Sequence, residues 1–410
     1  MSTKLNVAVV GAGMGGMACA LGLARRGMDV TLYEQAGEHR ELGAGLWISM
    51  NGARVLEDLG LGAALRAIDL PPQDRVVRLW NTGESWSIYN QGAANSGEHR
   101  LYMVLRYELL RIMVEAFEKI RPGQIKLGYK CAGVDVSEDG VEVHFDGKPS
   151  VRADVVIGAD GVHSRVRRAL FGEVGQRFTD ALAWRGLVPM SRLSECHRKP
   201  VATTWIGPTA HITCYPVHHN NEEFVSFSGQ VDSSRWEQES WSEPGALQEL
   251  LSDFDGWHPE VVDMFSGADV LYKWGLFVRD ELPSWVQGRA ALMGDASHSM
   301  VPYLGQGVNM AFEDSGVLVS LLASHDDPAE ALQRYDQLRR ERGYQVARAS
   351  MDMLPVFHHP SLSNPDTARA YIQETWSPAR VRERYDWILQ YNALTQGAEG
   401  QPASSVIHSA

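Results

Sequence analysis

The sequence predicts an α/β protein with an antiparallel sheet inserted into it and helices at its C-terminal end. Three observations carry this. The chain opens on a strand–helix–strand pattern, "LNVAVVGAGMGGMACALGLARRGMDVTLYE" (5–34). Apolar strands that run into glycine turns and helices recur at 154–170, "DVVIGADGVHSRVRRAL", and at 289–314, "RAALMGDASHSMVPYLGQGVNMAFED". Between these two, residues 176–272 hold short alternating runs, "LAWRGLVP", "VATTWI", "HITCYPV" and "EEFVSFSGQV", which read as antiparallel strands joined by polar turns.

The first pattern is the most specific. A β-branched apolar run reads as a buried parallel strand. It enters G-x-G-x-x-G at Gly11, Gly13 and Gly16, with Gly15 inside the motif. Gly11 permits the tight turn, Gly13 lets the backbone approach a pyrophosphate, and Gly16 allows close helix–strand packing. The helix stops at Gly27, and its N-terminus offers free N–H groups to phosphates. The second strand ends at Glu34, followed by Gln35. An acid about 20 residues past the glycines grips ribose hydroxyls and disfavours a 2′-phosphate. The fingerprint does not separate NAD from FAD. No second G-x-G-x-x-G follows a strand, which disfavours two Rossmann domains. The alternative is a glycine-rich packing turn.

Composition narrows the class. The 410 residues are 44% hydrophobic and 22% charged, with a net charge of −13. That surface repels a polyanion, so nucleic acid is not an expected partner. Cys19, Cys131, Cys196 and Cys214 form no C-x-x-C pair. They give no support to a zinc site or disulfide framework and fit a reducing cytoplasm. No H-E-x-x-H pattern occurs, and no metal is expected. Residues 7–24 are uncharged and outline a signal peptide, but their five glycines fall in the nucleotide fingerprint. A cytoplasmic protein without membrane contact is expected.

Together with "GAGLWISMNGARVLEDLG" (43–60), these segments resemble the single-component (class A) FAD-dependent aromatic hydroxylases. The D-G motif matches at Asp160, Gly161, Ser164 and Arg167. The G-D motif matches at Gly294 and Asp295, with Pro302 in its place. The chain looks most like the salicylate, 3-hydroxybenzoate and 6-hydroxynicotinate hydroxylase branch. The resemblance implies a Rossmann-like FAD-binding domain from 1–175 and 273–350, with an inserted antiparallel-sheet substrate domain at 176–272. C-terminal helices are expected at 351–396 and a disordered tail at 397–410. It implies bound FAD, NAD(P)H as co-substrate, and O2 used through a flavin C4a-hydroperoxide. The substrate would be a small phenolic aromatic or hydroxypyridine acid, handled by a monomer or homodimer. The same scaffold also serves epoxidases, oxidative decarboxylases and reductases, and a non-catalytic flavin redox sensor is a further alternative.

The resemblance also implies site residues. Asp295 would bond the ribityl or pyrophosphate part of FAD. The Gly305–Gly307 helix start would face the flavin, where a helix dipole favours the reduced, negatively charged ring. Asp160 and Arg167 would meet FAD and the visiting nicotinamide nucleotide, against a surface cap and solvated helix. Arg106 would reach the FAD phosphates, against an ordinary surface arginine. Leu46 and Trp47 would line the flavin, although Trp47 could equally be a core aromatic. Strand alternation in "AHITCYP" (210–216) puts His211, Thr213 and Tyr215 on one face. Relatives carry a His and a Tyr at the matching place that help deprotonate a phenol. A phenolate ring is the better nucleophile, and a His with a near-neutral pKa suits the task. Tyr303 stands where that branch often has a His, and a tyrosine donates but is a poor base. Trp184 and Arg185 are also expected to face the pocket, where the arginine could hold a carboxylate. His298 reads as structural, and His358 and His359 as turn residues.

Overall fold

The computed structural model describes residues 4–38, 44–89, 101–194, 200–234 and 243–396. The N-terminal fingerprint folds as a strand Asn6–Val10, a helix Met14–Arg25 and a parallel strand Asp29–Glu34. Asn6–Val10 also pairs in parallel with Val155–Gly158, which pairs in parallel with Ala290–Leu292. The three glycine-turn motifs, far apart in the chain, therefore leave adjacent strands at one carboxyl edge. Ligands of open α/β sheets bind at that edge. Ile125–Leu127 and Val286–Gln287 complete a six-stranded sheet. The buried helices Met14–Arg25 and Gly307–Ser324 pack together in its core, where Gly22 lies against Val319.

The second sheet has eight strands. It draws on more of the chain than residues 176–272. Asp74–Leu79 joins it in parallel beside Val201–Ile206, Ser85–Tyr89 follows, and Leu271–Arg279 runs past the expected end. The "DRVVRL" run joins because it buries Val77 and Leu79, which have no place in the first core. Period-two alternation makes this sheet two-sided. One face places Trp184, Trp205, Ile212 and Phe227 in a core with helices Leu247–Asp253 and Pro259–Ser266. The other face places Val77, Ile206 and Trp274 against the C-terminal helices, including Pro378–Leu389. A polar strip on this second face, with His211, Thr213 and Tyr215, looks toward the first sheet's carboxyl edge across a cavity.

The tail expected at 397–410 lies outside the described residues. Among the described residues no helix is long and apolar enough to cross a membrane, and no His/Cys/Asp/Glu group could hold a metal ion.

Candidate active site

The first wall of the cavity is backbone. Gly11 has φ +104°, and a Cβ there would lie 2.3 Å from the Ala159 carbonyl oxygen. A Cβ on Gly16 would lie 1.9 Å from the Gly11 carbonyl oxygen. A Cβ on Gly13 would meet nothing within 4 Å beyond its chain neighbours, and with Gly15 this residue lines the cavity. The Glu34 carboxylate closes this turn from below, accepting from Ala12 N and Ala36 N at 2.9 Å each. Gln35 beside it is exposed.

The G-D turn forms the opposite lip. Gly294 takes φ +60° and donates its N–H to Asp314. Asp295 opens onto the cavity and has no hydrogen-bond partner among the described residues. Although the side chain is exposed to the cavity, the protein crowded around it disfavours the charge and pushes its carboxyl pKa up, against the pull of His298 and Arg106. Pro302–Leu304 makes a single tight turn, Gly305 is left-handed at φ +64°, and Gly307 starts an 18-residue helix. Gly305, Gln306 and Gly307 line the cavity, so this helix presents its positive end there. Arg106 opens the helix Arg106–Ile120 and reaches the same space, as do Leu46 and Trp47. Trp47 is no core aromatic: it is half-buried, with the Arg75 guanidinium 4.7 Å from its ring.

These features fit FAD. Close-approach glycines and a helix N-terminus suit a pyrophosphate, Arg106 supplies a cation, and Asp295 is an acceptor with no donor among the described residues. Asp160 departs from expectation. Its carboxylate accepts from Ser164 Oγ, Arg165 N and Val166 N, capping the helix Arg165–Phe171. Its neighbours Ala159 and Gly161 line the cavity instead. Arg167 is also no solvated cation: it is buried and donates to Ala296 O and Val162 O, bracing the D-G turn against the G-D turn. Replacing Asp295 by alanine is expected to weaken FAD binding about 10- to 100-fold, the worth of a charged hydrogen bond. Titration of flavin fluorescence measures it, and parent affinity in the variant would remove Asp295 from the site.

The second wall is the polar strip. His211, Thr213 and Tyr215 line the cavity from the strand Ala210–His219. Ser226, Ser228 and Gln230 stand opposite them on the next strand, in register. Arg185, opposite Ser228, faces the same way, while Trp184 points into the helix-covered core. Burial lowers the Arg185 pKa to about 10; Tyr215 counters this and Arg106 adds to it. The guanidinium lies over Trp274 at 4.7 Å and has no carboxylate partner among the described residues. Burial raises the Tyr215 pKa to about 12 despite Arg185 and a hydrogen bond with Ser226. Tyr215 is therefore a donor and not a base. Tyr303 is buried with its ring 5.5 Å from His211, and its hydroxyl has no partner among the described residues. Burial and the field of Asp232 raise its pKa.

His211 differs from the near-neutral base expected. Burial first, and His358 second, push its pKa well below the ordinary value. Its Nδ1 lies 2.7 Å from His358 Nε2, and Phe357 stacks on the ring at 4.3 Å. His358, read as a turn residue, is thus part of the site. Sequence reasoning also missed Arg75, Gln230 and Tyr385, which line the cavity. Alternation along "EEFVSFSGQV" would have found Gln230; nothing local marks the others.

An FAD binding domain family matches residues 4–350. A 3-amino-4-hydroxybenzoate 2-monooxygenase from Streptomyces platensis is 35% identical over 397 residues, covering 96% of this chain and 98% of that protein. A 6-hydroxynicotinate 3-monooxygenase from Bordetella bronchiseptica is 30% identical over 417 residues, covering 99% and 100%. Klebsiella pneumoniae HpxO, solved with FAD and uric acid, superposes with a TM-score of 0.82 at 25% identity, covering 98% of this chain and 99% of that one. With its glycine turns, unpartnered Asp295 and polar strip converging on one cavity, the chain belongs to the FAD binding domain family as an FAD-dependent aromatic monooxygenase.

Proposed function

We propose that the protein uses NAD(P)H and O2 to hydroxylate a small aromatic acid bearing a ring hydroxyl, of the aminohydroxybenzoate or hydroxynicotinate kind. The observation that carries this reading is the pairing of Arg185 with His211. A half-buried guanidinium with no carboxylate partner among the described residues and a buried neutral imidazole stand on one face of one sheet, two strands apart. The first is suited to a carboxylate and the second to a phenolic proton. Relatives named for 3-amino-4-hydroxybenzoate and 6-hydroxynicotinate support the substrate class, since both compounds are ring acids.

FAD, when bound, supplies the redox chemistry that activates oxygen. The chain's own groups do the rest. Arg185 holds the carboxylate. His211 Nε2 takes the hydroxyl proton, which makes the ring a better nucleophile. Tyr215 and Tyr303 donate to substrate oxygen atoms without competing for the proton. Aromatic and aliphatic side chains of the cavity, Trp47, Leu304 and Phe357 among them, keep water from the reacting centre.

The test is a panel of aromatic acids and hydroxypyridines, each run with NADH and with NADPH. Nicotinamide oxidation is expected to accelerate with the right acid, and mass spectrometry to find one added oxygen. A panel with no stimulation sinks the hydroxylase reading. Arg185→Met is expected to raise KM for the active acid roughly 10- to 100-fold with a smaller change in kcat. An unchanged KM would remove Arg185 as the anchor.

A further inference from the structure

The proton that His211 removes has a path out of the cavity. His211 Nδ1 is 2.7 Å from His358 Nε2, and His358 Nδ1 is 2.7 Å from Asp232 Oδ1. His211 is buried in the cavity wall, the His358 side chain is 4% exposed, and the Asp232 side chain is 44% exposed. The three groups form an unbroken line from the cavity to solvent. They come from the strand Ala210–His219, the turn after the helix Leu354–Phe357, and the end of the strand Glu222–Asp232. A β-bridge between Gly207 and His358 ties the turn to the sheet.

With one hydrogen on each ring, the hydrogen bonds determine the tautomers. A carboxylate only accepts, so His358 Nδ1 carries the hydrogen given to Asp232. Carrying that single hydrogen, the His358 ring accepts at Nε2, and His211 donates from Nδ1. That leaves the lone pair of His211 on Nε2, the nitrogen free to face a substrate. Asp232, at the solvent end of the line, thus sets the tautomer of the base inside the cavity.

We propose that His211, His358 and Asp232 form a relay that carries the substrate's hydroxyl proton from the cavity to solvent. The proposal rests on the reading of His211 as the base. The phenol O–H bond breaks as His211 Nε2–H forms. His211 Nδ1–H passes to His358 Nε2, and His358 Nδ1–H passes to Asp232 and then to water. Both rings end neutral, with their tautomers exchanged. A product that leaves as a neutral phenol takes a proton back along the same line, which resets the relay. Burial gives His211 a poor hold on a second proton, so a base at this position needs a group to receive the charge. Among the described residues, Tyr303 is a further titratable group against the line, and burial and Asp232 keep it protonated. Phe357 and Gln230 carry no exchangeable charge. His358 and Asp232 touch no substrate and are positioning and transfer groups.

The test compares the holoenzyme with Asp232→Asn, His358→Gln and His211→Gln variants, using the fastest acid of the panel as ligand. The rate and the extent of phenolate absorbance on binding are read by stopped flow, alongside turnover. Asp232→Asn and His358→Gln are expected to reach the parent extent of phenolate with unchanged KM, but about tenfold more slowly. His211→Gln is expected to lower the extent itself. His358→Ala opens a ring-sized space, and added imidazole is expected to restore its rate in proportion to the free-base fraction. That recovery separates proton transfer from a folding defect. If phenolate forms at the parent rate in the Asp232 and His358 variants while His211→Gln is impaired, the relay is wrong and the base stands. If His211→Gln matches the parent, the base reading falls and the relay with it.

Discussion

A Gly16→Ala variant is expected to emerge without FAD and with reduced stability. The added Cβ would lie 1.9 Å from the Gly11 carbonyl oxygen and 3.1 Å from its carbon. Both partners are backbone, so no side-chain rotation relieves the contact. The helix Met14–Arg25 would have to move, and its far side is already filled. A Cβ on Gly15 would lie 3.0 Å from Ala311, and one on Gly22 would lie 2.8 Å from Val319, both on the helix Gly307–Ser324. Overpacking of this kind costs about 1–3 kcal/mol where side chains can yield, and here they cannot. Any shift also opens the turn that Gly11, Gly13 and Glu34 hold in register. Gly13→Ala is the contrast, because its Cβ would meet nothing within 4 Å beyond its chain neighbours. That variant is expected to keep the parent unfolding midpoint and lose flavin affinity, since its methyl occupies space needed for ligand approach. Urea unfolding and the absorbance of the purified protein read both. A yellow Gly16→Ala protein with the parent midpoint would refute the packing argument.

The contrast also shows why some of this site was legible in the sequence. Glycine motifs, an acid at a strand end and a polar residue every second position are local signals. They place Gly11, Gly13, Glu34, Asp295 and the face shared by His211 and Tyr215 without knowledge of the tertiary fold. His358 has no such signal. It reaches His211 across 147 residues because a bridge at Gly207 docks the turn after Phe357 on the sheet. Arg75 reaches the cavity only because Asp74–Leu79 adds to the sheet beside Val201–Ile206. Adjacent residues of one strand point to opposite faces, so Trp184, expected in the pocket with Arg185, packs under the helices instead. Asp160 shows the converse: a motif residue whose carboxylate caps its own helix while its neighbours line the cavity.

Removing Arg339 is expected to cost about 3–5 kcal/mol, the usual penalty for stranding buried charges. Its side chain is fully buried, with Nε 2.9 Å from Asp314 and a terminal nitrogen 2.8 Å from Glu313. Those carboxylates do further work at the two turns facing the cofactor site. Asp314 accepts from Gly294 N and pairs with His298, fixing the turn that aims Asp295. Glu313 accepts from Asn51, whose amide also donates to Gln306 at the start of the helix Gly307–Ser324. Arg339→Met should therefore weaken FAD binding as well as lower the urea midpoint, although Arg339 does not line the cavity. Arg342 still pairs with Glu313, so the larger loss falls on Asp314. Burial would raise the Asp314 carboxyl, but His298 and Arg339 outweigh it and hold the pKa at about 2. A carboxyl held down in the folded state adds stability above its unfolded value near 4, and that contribution fades as pH falls toward 2. The variant, with a smaller depression, should gain less stability between about pH 3 and pH 6, and its carboxyl contribution should be fully lost at a higher pH than the parent's. An Arg339→Met protein with the parent midpoint and parent acid profile would show that the cluster contributes nothing net to the fold.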